Sequence, residues 1–356
     1  MKDRLTRYGY SQFFKDSFSN LKNSSLVPAR VVAVNKHNYL AFCNKGEFIA
    51  ELPGRTLHKA GSTAEHPCAG DFVALDFSKS AERPIIREVL PRKSRFARLV
   101  GGKRKEEQVL AANIDILFIV QGLDRDFNIR RLERYVIQSH EFGCEPVIIL
   151  NKKDLCDDTK ERAEEVSSLL RGIKVFAVSA KEDEGLDDIQ ALLYEGITAA
   201  LVGSSGTGKS TILNILADDE DLQLIGEELM PWEKGRHTTV RRELFVLPSG
   251  AVIIDTPGIR EIQLIDSENG ISKTFPEIDE LVHLCKFSDC KHDAEPGCAV
   301  AEAVKTGKIE ESRVASWRKL SAELAQKRNK GNRWAELRKK EQSRKTLRQS
   351  GRKQLL

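Results

Sequence analysis

The sequence lacks any apolar run long enough to cross a membrane. Its longest runs, such as residues 114–120, fall far short of the ~20 residues that a spanning helix needs. The first seven residues lead into no apolar signal core. We therefore expect a cytoplasmic protein that does not interact with membranes.

Cysteine is also scarce. Seven cysteines among 356 residues exclude the disulfide framework that holds together small secreted domains. Three of them crowd between positions 285 and 298, and we expect the other four to be reduced and structural. The length and the hydrophobic content of 40% are sufficient for two or three domains with buried cores.

Net charge is small but very uneven. The whole chain carries +4, whereas the part from Arg318 onward contains 14 Lys/Arg and 3 Asp/Glu, which leaves −7 for the residues before it. The residue types of this part favour a basic helical tail over residues 318–356. Contact with the phosphates of a nucleic acid is the functional interpretation, and a solvated helix with a disordered end is the alternative.

A glycine-rich loop dominates the middle of the chain. Residues 203–210 match G-x-x-x-x-G-K-[ST] between a predicted strand over residues 199–202 and a helix from Ile212 onward. Lys209 would reach the β- and γ-phosphates of a nucleotide and Ser210 would ligate Mg²⁺. A glycine-rich turn that binds nothing is the alternative, which the flanking strand and helix disfavour. The predicted phosphate-binding residues are Gly203, Ser204, Ser205, Gly206, Thr207, Gly208, Lys209, Ser210 and Thr211.

A second motif indicates which nucleotide is bound. Asn151-Lys152-Lys153-Asp154 follows a predicted strand over residues 147–150. The Asp154 carboxylate can accept both N–H donors of guanine, which adenine does not offer, so it would select GTP over ATP. Asn151 would brace the loop, while the Lys152 stem would lie along the base. Ser179-Ala180-Lys181 would cover the guanine from the other side.

Two further segments complete a GTPase set. In Asp255-Thr256-Pro257-Gly258, Asp255 would hold Mg²⁺ through water and the Gly258 N–H would contact the γ-phosphate. Gly235-Arg236-His237-Thr238-Thr239 has the position of a switch I loop, in which we favour Thr239 over Thr238 as a Mg²⁺ ligand. The guanine motifs precede the phosphate loop, whereas GTPases of the Ras type have the reverse order. This order predicts a circularly permuted α/β GTPase domain.

The remaining texture predicts the other domains. About five short β-like runs before residue 95 favour an OB-type β-barrel, a fold that often binds RNA; a barrel that only packs on its neighbour is the alternative. Residues 92–105 are expected to form a basic connector, either solvated or touching phosphate. Alternating strands and helices follow, as in a doubly wound sheet. The predicted domains are an N-terminal extension (1–28), the barrel (29–95), the permuted GTPase domain (96–265), a mostly helical zinc-binding domain (266–317) and the basic tail (318–356).

The cysteine cluster predicts a metal site. Cys285, Cys290, His292 and Cys298 have the spacing C-x4-C-x-H-x5-C, and three thiolates with one imidazole suit tetrahedral Zn²⁺. The site would be structural, because protein fills all four positions. The alternative is buried thiols beside an unrelated histidine, and His283 is a substitute in the ligand set.

These residues together resemble the ribosome small subunit-dependent GTPase A (RsgA) family from Arg30 to about Cys298. The resemblance implies an OB fold, a zinc domain, and the small (30S) ribosomal subunit with its 16S rRNA as partners in late subunit assembly. It is carried by the permuted GTPase motifs, Gly46-Glu47-Phe48, Leu52-Pro53-Gly54-Arg55, Gly70-Asp71, Ala111-Ala112-Asn113, Asp126-Phe127-Asn128, Arg130-Arg131-Leu132-Glu133-Arg134-Tyr135, Gly235-Arg236-His237-Thr238-Thr239 and Glu295-Pro296-Gly297-Cys298.

The expected function is therefore GTP hydrolysis stimulated by the 30S subunit, in a protein that is a monomer. Ile259 replaces the glutamine that orients water in Ras-type enzymes. Position and resemblance together favour His237 as the catalytic residue, with packing or RNA contact as its alternative role. Two other functions stay open: an RNA-binding assembly protein in which GTP only locks a conformation, and a P-loop ATPase or kinase, against which Asp154 argues.

Overall fold

The computed structural model describes nine stretches of the chain, which form two compact units, Met1–Gln263 and Leu264–Leu356. Within the described stretches, the helices are too short or too polar to cross a membrane. The described residues are 4–35, 38–53, 63–78, 83–100, 106–217, 223–224, 243–255, 268–293 and 295–326.

Five short strands near the N-terminus form a small barrel. Strand β1 pairs with β2 and β4, β2 pairs with β3, and β4 pairs with β5. A parallel bridge between Glu51 and Ile85 joins the ends of β3 and β5 and closes the ring. This arrangement confirms the predicted OB-type barrel, which is a five-stranded Greek-key fold. The strands are β1 Leu26–Val34, β2 Tyr39–Cys43, β3 Gly46–Ala50, β4 Phe72–Asp76 and β5 Ile85–Val89.

The segment before the barrel is partly helical. It contains two helices, α1 Arg4–Arg7 and α2 Gln12–Ser19. Phe14 is 1% exposed and its ring lies 4.2 Å from that of Phe72 in the barrel. Aromatic residues of this segment therefore pack on the barrel.

The predicted basic connector is also structured. Strands β6 Arg95–Val100 and β7 Glu106–Ala112 form an antiparallel hairpin. Phe96 is buried and its ring contacts that of Phe142 at 5.2 Å. This hairpin was not predicted because charged residues such as Arg95 and Glu107 stand beside the buried ones that hold it in place.

The central sheet of the first unit is an α/β sheet, as predicted. Its strand order is β10-β9-β8-β11-β14-β13, with β8 to β11 and β14 parallel and β13 antiparallel. Loops that follow parallel strands meet at their carboxyl ends, where such sheets bind ligands. The elements are β8 Ile116–Gly122, α3 Ile129–Phe142, β9 Glu145–Asn151, α4 Thr159–Leu169, β10 Lys174–Ala177, α5 Asp187–Gln190, β11 Thr198–Val202, α6 Lys209–Leu216, β12 Gln223–Leu224, β13 Glu243–Val246 and β14 Val252–Asp255.

Helix α5 covers only Asp187–Gln190. After Ala191 the backbone hydrogen bonds span three residues instead of four, as in Leu192 N–H to the Ile189 carbonyl. Leu186, Ile189 and Leu193 are all buried, so turns can also present this apolar spacing to the core.

The barrel sheet and the α/β sheet are continuous. Ala33 of β1 pairs with Glu243 of β13. Beside this junction the guanidinium of Arg30 is fully buried and donates to the carbonyls of Tyr8 and Gly70 and to Thr198 Oγ1, at 2.5, 3.3 and 2.9 Å. Burial lowers the pKa of Arg30 to about 10, so it stays charged at neutral pH. One side chain thus ties the N-terminal segment, the barrel and β11 together.

We expect Arg30→Met to destabilise the first unit strongly. Each buried acceptor left without a donor costs about 1–3 kcal/mol, so the free energy of unfolding should fall by about 3 kcal/mol or more. Arg83→Met is the matched control, because Arg83 and Glu51 form an exposed pair at 3.1 Å and such pairs contribute only about 0–1 kcal/mol. Thermal and denaturant unfolding would measure both. Equal effects of the two substitutions would contradict the assigned role of Arg30.

The second unit is mostly helical. Phe275, Ile278 and Val300 are fully buried between its helices. The Arg313 guanidinium pairs with Glu277, donates to the Thr274 carbonyl at 2.8 Å and lies over the Phe275 ring. The helices are α7 Glu268–Thr274, α8 Pro276–Val282, α9 Ala299–Lys305 and α10, which is described over residues 311–326.

Candidate functional site

The loop between β11 and α6 has the tight backbone that the glycine pattern predicted. Gly203, Gly206 and Gly208 all have positive φ, at 147°, 81° and 93°. A Cβ on Gly203 would lie 2.2 Å from the Val120 carbonyl oxygen, and one on Gly208 would lie 2.2 Å from Asn151 Nδ2. Only glycine fits the loop at these two positions. The backbone geometry is that of a phosphate-binding loop leading into a helix N-terminus.

Lys209 lies across this loop. Its ammonium donates to the carbonyls of Gly203 and Ser204, at 2.9 and 2.6 Å. Thr207 is buried and its hydroxyl also donates to the Ser204 carbonyl, at 3.1 Å. Ser205, Gly206, Ser210 and Thr211 are exposed. The mouth of the loop is thus lined by accessible backbone and hydroxyl groups with one ammonium beside them, an arrangement suited to phosphate.

Asn151 joins three predicted motifs. It ends β9 and is 3% exposed. Its Nδ2 donates to the Thr207 carbonyl at 2.9 Å, and its Oδ1 accepts from the Ala180 N–H at 3.0 Å. The phosphate loop and the Ser179-Ala180-Lys181 turn are therefore connected by a single side-chain amide.

Asp154 lies at the exposed end of the same loop. Its Oδ1 accepts a hydrogen bond from Ser179 Oγ at 2.6 Å, and this bond holds the pKa of Asp154 below its ordinary value. The Ser179 hydroxyl in turn accepts from the Glu182 N–H at 3.2 Å. Asp154 is thus ionised at neutral pH, and one face of its carboxylate is already fixed by the turn.

The three predicted lysines are held by acidic side chains. Lys152 has φ 67° and its Nζ lies 2.6 Å from Asp124 Oδ2. Lys153 pairs with Glu184 at 2.6 Å and Lys181 with Glu182 at 2.7 Å. In this structure the ammonium groups brace the loops through these pairs.

Sequence reasoning assigned no role to the loop between β8 and α3. Arg131, in the first turn of α3, donates to Ser204 Oγ in the phosphate loop at 2.5 Å. Two motifs of the family resemblance were the available signals: Asp126-Phe127-Asn128, and the run from Arg130 to Tyr135 that contains Arg131. The contact could not be foreseen from spacing, since its two residues are 73 positions apart.

Part of the predicted switch set lies outside the described residues. This is so for His237, Thr239 and Gly258. Asp255 ends β14, whose residues Ile253 and Ile254 pair in parallel with Ala199 and Ala200 of β11. The backbone of Asp255 therefore lies at the same edge of the sheet as the phosphate loop.

The second unit brings the four predicted metal ligands together. The ligand atoms of Cys285, Cys290, His292 and Cys298 all lie within 4.8 Å of one another. Cys285 Sγ is 3.3 Å from His292 Nδ1 and 3.9 Å from Cys298 Sγ. Zn–S bonds of ~2.3 Å in a tetrahedron separate two sulfur atoms by ~3.8 Å. The cluster is therefore a possible Cys3His metal site whose dimensions suit zinc.

The chain around this cluster is braced by hydrogen bonds. Glu295 accepts from the N–H groups of Lys291 and Asp293 at 2.8 and 2.9 Å, and backbone donors, including its own N–H, lower the pKa of Glu295 to about 2. Burial lowers the pKa of His292, which favours the neutral imidazole that metals bind. All seven cysteines lie in the described part of the chain, and none forms a disulfide.

The fold and the loops at the carboxyl ends of its strands define a circularly permuted P-loop GTPase. A sequence model described as RsgA GTPase matches residues 89–265. The chain is 42% identical over 330 residues to "Small ribosomal subunit biogenesis GTPase RsgA" of Syntrophotalea carbinolica, and 40% identical over 331 residues to the protein of that name in Opitutus terrae; each alignment covers 90% of both chains. This chain belongs to the RsgA GTPase family.

Solved structures support the fold. YjeQ from Thermotoga maritima superposes with a TM-score of 0.62 at 24% identity, covering 84% of this chain and 99% of that one. YloQ, described as a circularly permuted GTPase, gives 0.60 at 22% identity, covering 85% and 96%. YloQ, which has the same fold, is thus described with the permuted order that the motifs of this chain predicted.

Proposed function

We propose that this protein is a GTPase that acts in the biogenesis of the small ribosomal subunit. Membership of the RsgA GTPase family supports the activity and the process, because the similar proteins carry that function in their names. The observation within this chain that carries the proposal is the Asn151 amide, which links the phosphate loop to the Ser179-Ala180-Lys181 turn at 2.9 and 3.0 Å. This link presents phosphate-binding and guanine-binding groups side by side.

The phosphate loop would bind the β- and γ-phosphates. Its N–H groups and the start of α6 supply hydrogen bonds and a partial positive charge, and Lys209 would exchange the loop carbonyls for phosphate oxygens. Ser210 and Asp255 are an oxygen-only donor set of the kind that Mg²⁺ prefers, and the sequence adds Thr239. Bound Mg²⁺ would neutralise charge that develops on the phosphate oxygens. The Gly258 N–H is assigned to the γ-phosphate from its position in the sequence.

Guanine would bind between two loops. The Asp154 carboxylate, fixed by the Ser179 hydroxyl at 2.6 Å, would accept the ring N–H and the amino group of the base. Lys152 would flank the base with its stem while its ammonium stays on Asp124. Lys181 and Ala180 would close the other face. Adenine has no matching donor pair, so GTP is the substrate that this geometry favours.

The proposed partners are the 30S subunit and its 16S rRNA. GTP hydrolysis should be slow for the protein alone and should rise when purified 30S subunits are added, since the sequence offers Ile259 in place of a water-orienting glutamine. If the protein binds GTP but does not hydrolyse it in the presence of subunits, the result would instead favour an RNA-binding assembly protein in which GTP only locks a conformation. A cytoplasmic location and a monomeric state stay predictions from the sequence.

His237→Ala is expected to remove most of the subunit-stimulated hydrolysis. A positioned acid–base group typically contributes ~10²–10⁴-fold, so stimulated turnover should fall by about 10²-fold or more while nucleotide affinity stays nearly unchanged. Lys209→Ala is the contrasting variant, because it should weaken both phosphate binding and turnover. Wild-type turnover by His237→Ala on 30S subunits would assign the trigger to a group that the subunit supplies.

A further inference from the structure

The loop between β8 and α3 touches both nucleotide-binding loops at once. It carries two aspartates, Asp124 and Asp126, whose positions are fixed from within the fold. Gln121 Nε2 donates to the Asp126 carbonyl at 2.8 Å, and the Asp126 N–H donates to Asp124 Oδ1 at 3.0 Å. The Leu123 N–H donates to the Asn151 carbonyl at 2.8 Å. A loop with these internal bonds is a firm support for whatever its carboxylates hold.

At one end, this loop holds the phosphate loop through Arg131. The guanidinium forms a bidentate ion pair with Asp126, with Nη1–Oδ2 at 2.5 Å and Nη2–Oδ1 at 3.0 Å. The same Nη1 donates to Ser204 Oγ at 2.5 Å. The pairing raises the pKa of Arg131 and lowers that of Asp126. The charge is thus anchored and faces the phosphate loop.

Ser204 connects Arg131 to other residues of the phosphate loop. Its carbonyl accepts from the ammonium of Lys209 at 2.6 Å and from the hydroxyl of Thr207 at 3.1 Å. Ser204 therefore contacts Arg131 through its side chain and Lys209 through its main-chain carbonyl. At the other end of the β8–α3 loop, Asp124 Oδ2 accepts from the ammonium of Lys152 at 2.6 Å.

We propose that Arg131, anchored on Asp126, is a positioning residue for the phosphate loop, and that the β8–α3 loop couples this loop to the guanine-binding loop through Asp124 and Lys152. Because its Nη atoms are engaged by Asp126 and Ser204, Arg131 acts on the nucleotide through Ser204. The inference rests on the proposed function, since it concerns the same nucleotide site.

The test compares the affinity of fluorescent GDP for single and double variants of the full chain. Losing one charge-assisted hydrogen bond corresponds to about tenfold, so Arg131→Gln and Ser204→Ala should each bind about tenfold more weakly. The Arg131→Gln, Ser204→Ala double variant should bind GDP no more weakly than the weaker-binding single variant, because both changes break the contact between Arg131 and Ser204. Ser204→Thr, which keeps the hydroxyl that Arg131 contacts, should bind more tightly than Ser204→Ala.

Two further variants separate this role from its competitors. Asp126→Asn combined with Arg131→Gln should lose the same tenfold, which would exclude repulsion by an unpaired Asp126 as the cause. Arg130→Gln is the matched control and should bind normally, because Arg130 pairs with Glu133 on its own helix at 3.3 Å. The melting temperature of every variant is measured alongside.

Two results would overturn the inference. Additive losses in the Arg131 and Ser204 double variant would mean that Arg131 acts on the nucleotide independently of Ser204. A lower melting temperature with unchanged GDP affinity would mean that Arg131 only stabilises the fold. If the wild type itself fails to bind guanine nucleotides, the proposed function falls; if the wild type binds and Arg131→Gln binds equally well, only this inference falls.

Discussion

Asp154→Asn is expected to move the preference of the protein from GTP to xanthosine triphosphate. The substitution removes the carboxylate that accepts both guanine N–H donors. An asparagine amide instead matches the N–H and C=O of xanthine. Hydrogen bonds to a charged group contribute about 1.5–3 kcal/mol each, so GTP affinity should fall by about 10²–10⁴-fold. Ser179 stays in hydrogen-bond reach of the new side chain, and the loop should keep its shape.

Competition between labelled GDP and the two triphosphates measures this exchange. Asp157→Asn is the matched control, because it removes the same charge from an exposed position three residues later in the chain. It should leave the preference unchanged. If the Asp154→Asn variant keeps its selectivity for GTP, then Asp154 does not bind guanine.

Loss of the metal is the second change with a large expected effect. Structural zinc binds with apparent free energies of about 10–16 kcal/mol at neutral pH, and the stretch from Cys285 to Cys298 contains turns but no described helix between its ligands. We expect gently purified protein to contain about one zinc per chain. Cys290→Ser should release most of it and loosen this stretch.

The helices of the second unit should stay folded in Cys290→Ser, although the stretch between the metal ligands loosens. Phe275, Ile278 and Val300 give these helices an apolar core, which the sequence analysis did not anticipate. Cys156→Ser, a cysteine change away from the cluster, is the control and should keep the metal. Metal analysis, thermal unfolding and binding to 30S subunits are the readouts, while GDP binding checks the first unit. Full zinc content in Cys290→Ser would contradict the ligand assignment.

Local patterns predicted the parts of the fold that local energies decide. Helix α3 is bounded by local signals, because Asn128 caps it, accepting from the Arg131 N–H at 3.1 Å, and Gly143 ends it with φ 79°. The phosphate loop was equally predictable, since its glycines are required by close contacts that recur wherever backbone wraps phosphate. The two ends of α3 are determined by residues within one turn of them.

The features that were missed depend on distant partners. The β6–β7 hairpin is held by Phe96 against Phe142 and by the bridge from Ala111 to Ala69. The Arg131 contact with Ser204 needs two loops that only the folded sheet brings together. A charged residue within an apolar strand, such as Arg30, suggests an exposed edge until its acceptors are known. No periodicity contains that information.

The burial of Arg30 has a consequence for how the chain matures during synthesis. Its acceptor Thr198 lies 168 residues further along the chain, and at 5–20 residues per second that distance takes roughly 10–30 s to translate. A nascent barrel would complete its strands with a guanidinium in its wall that lacks one of its final acceptors. The barrel should therefore reach full protection from protease only after β11 has emerged from the translating ribosome, so that the barrel becomes rigid only well after its own strands have been made.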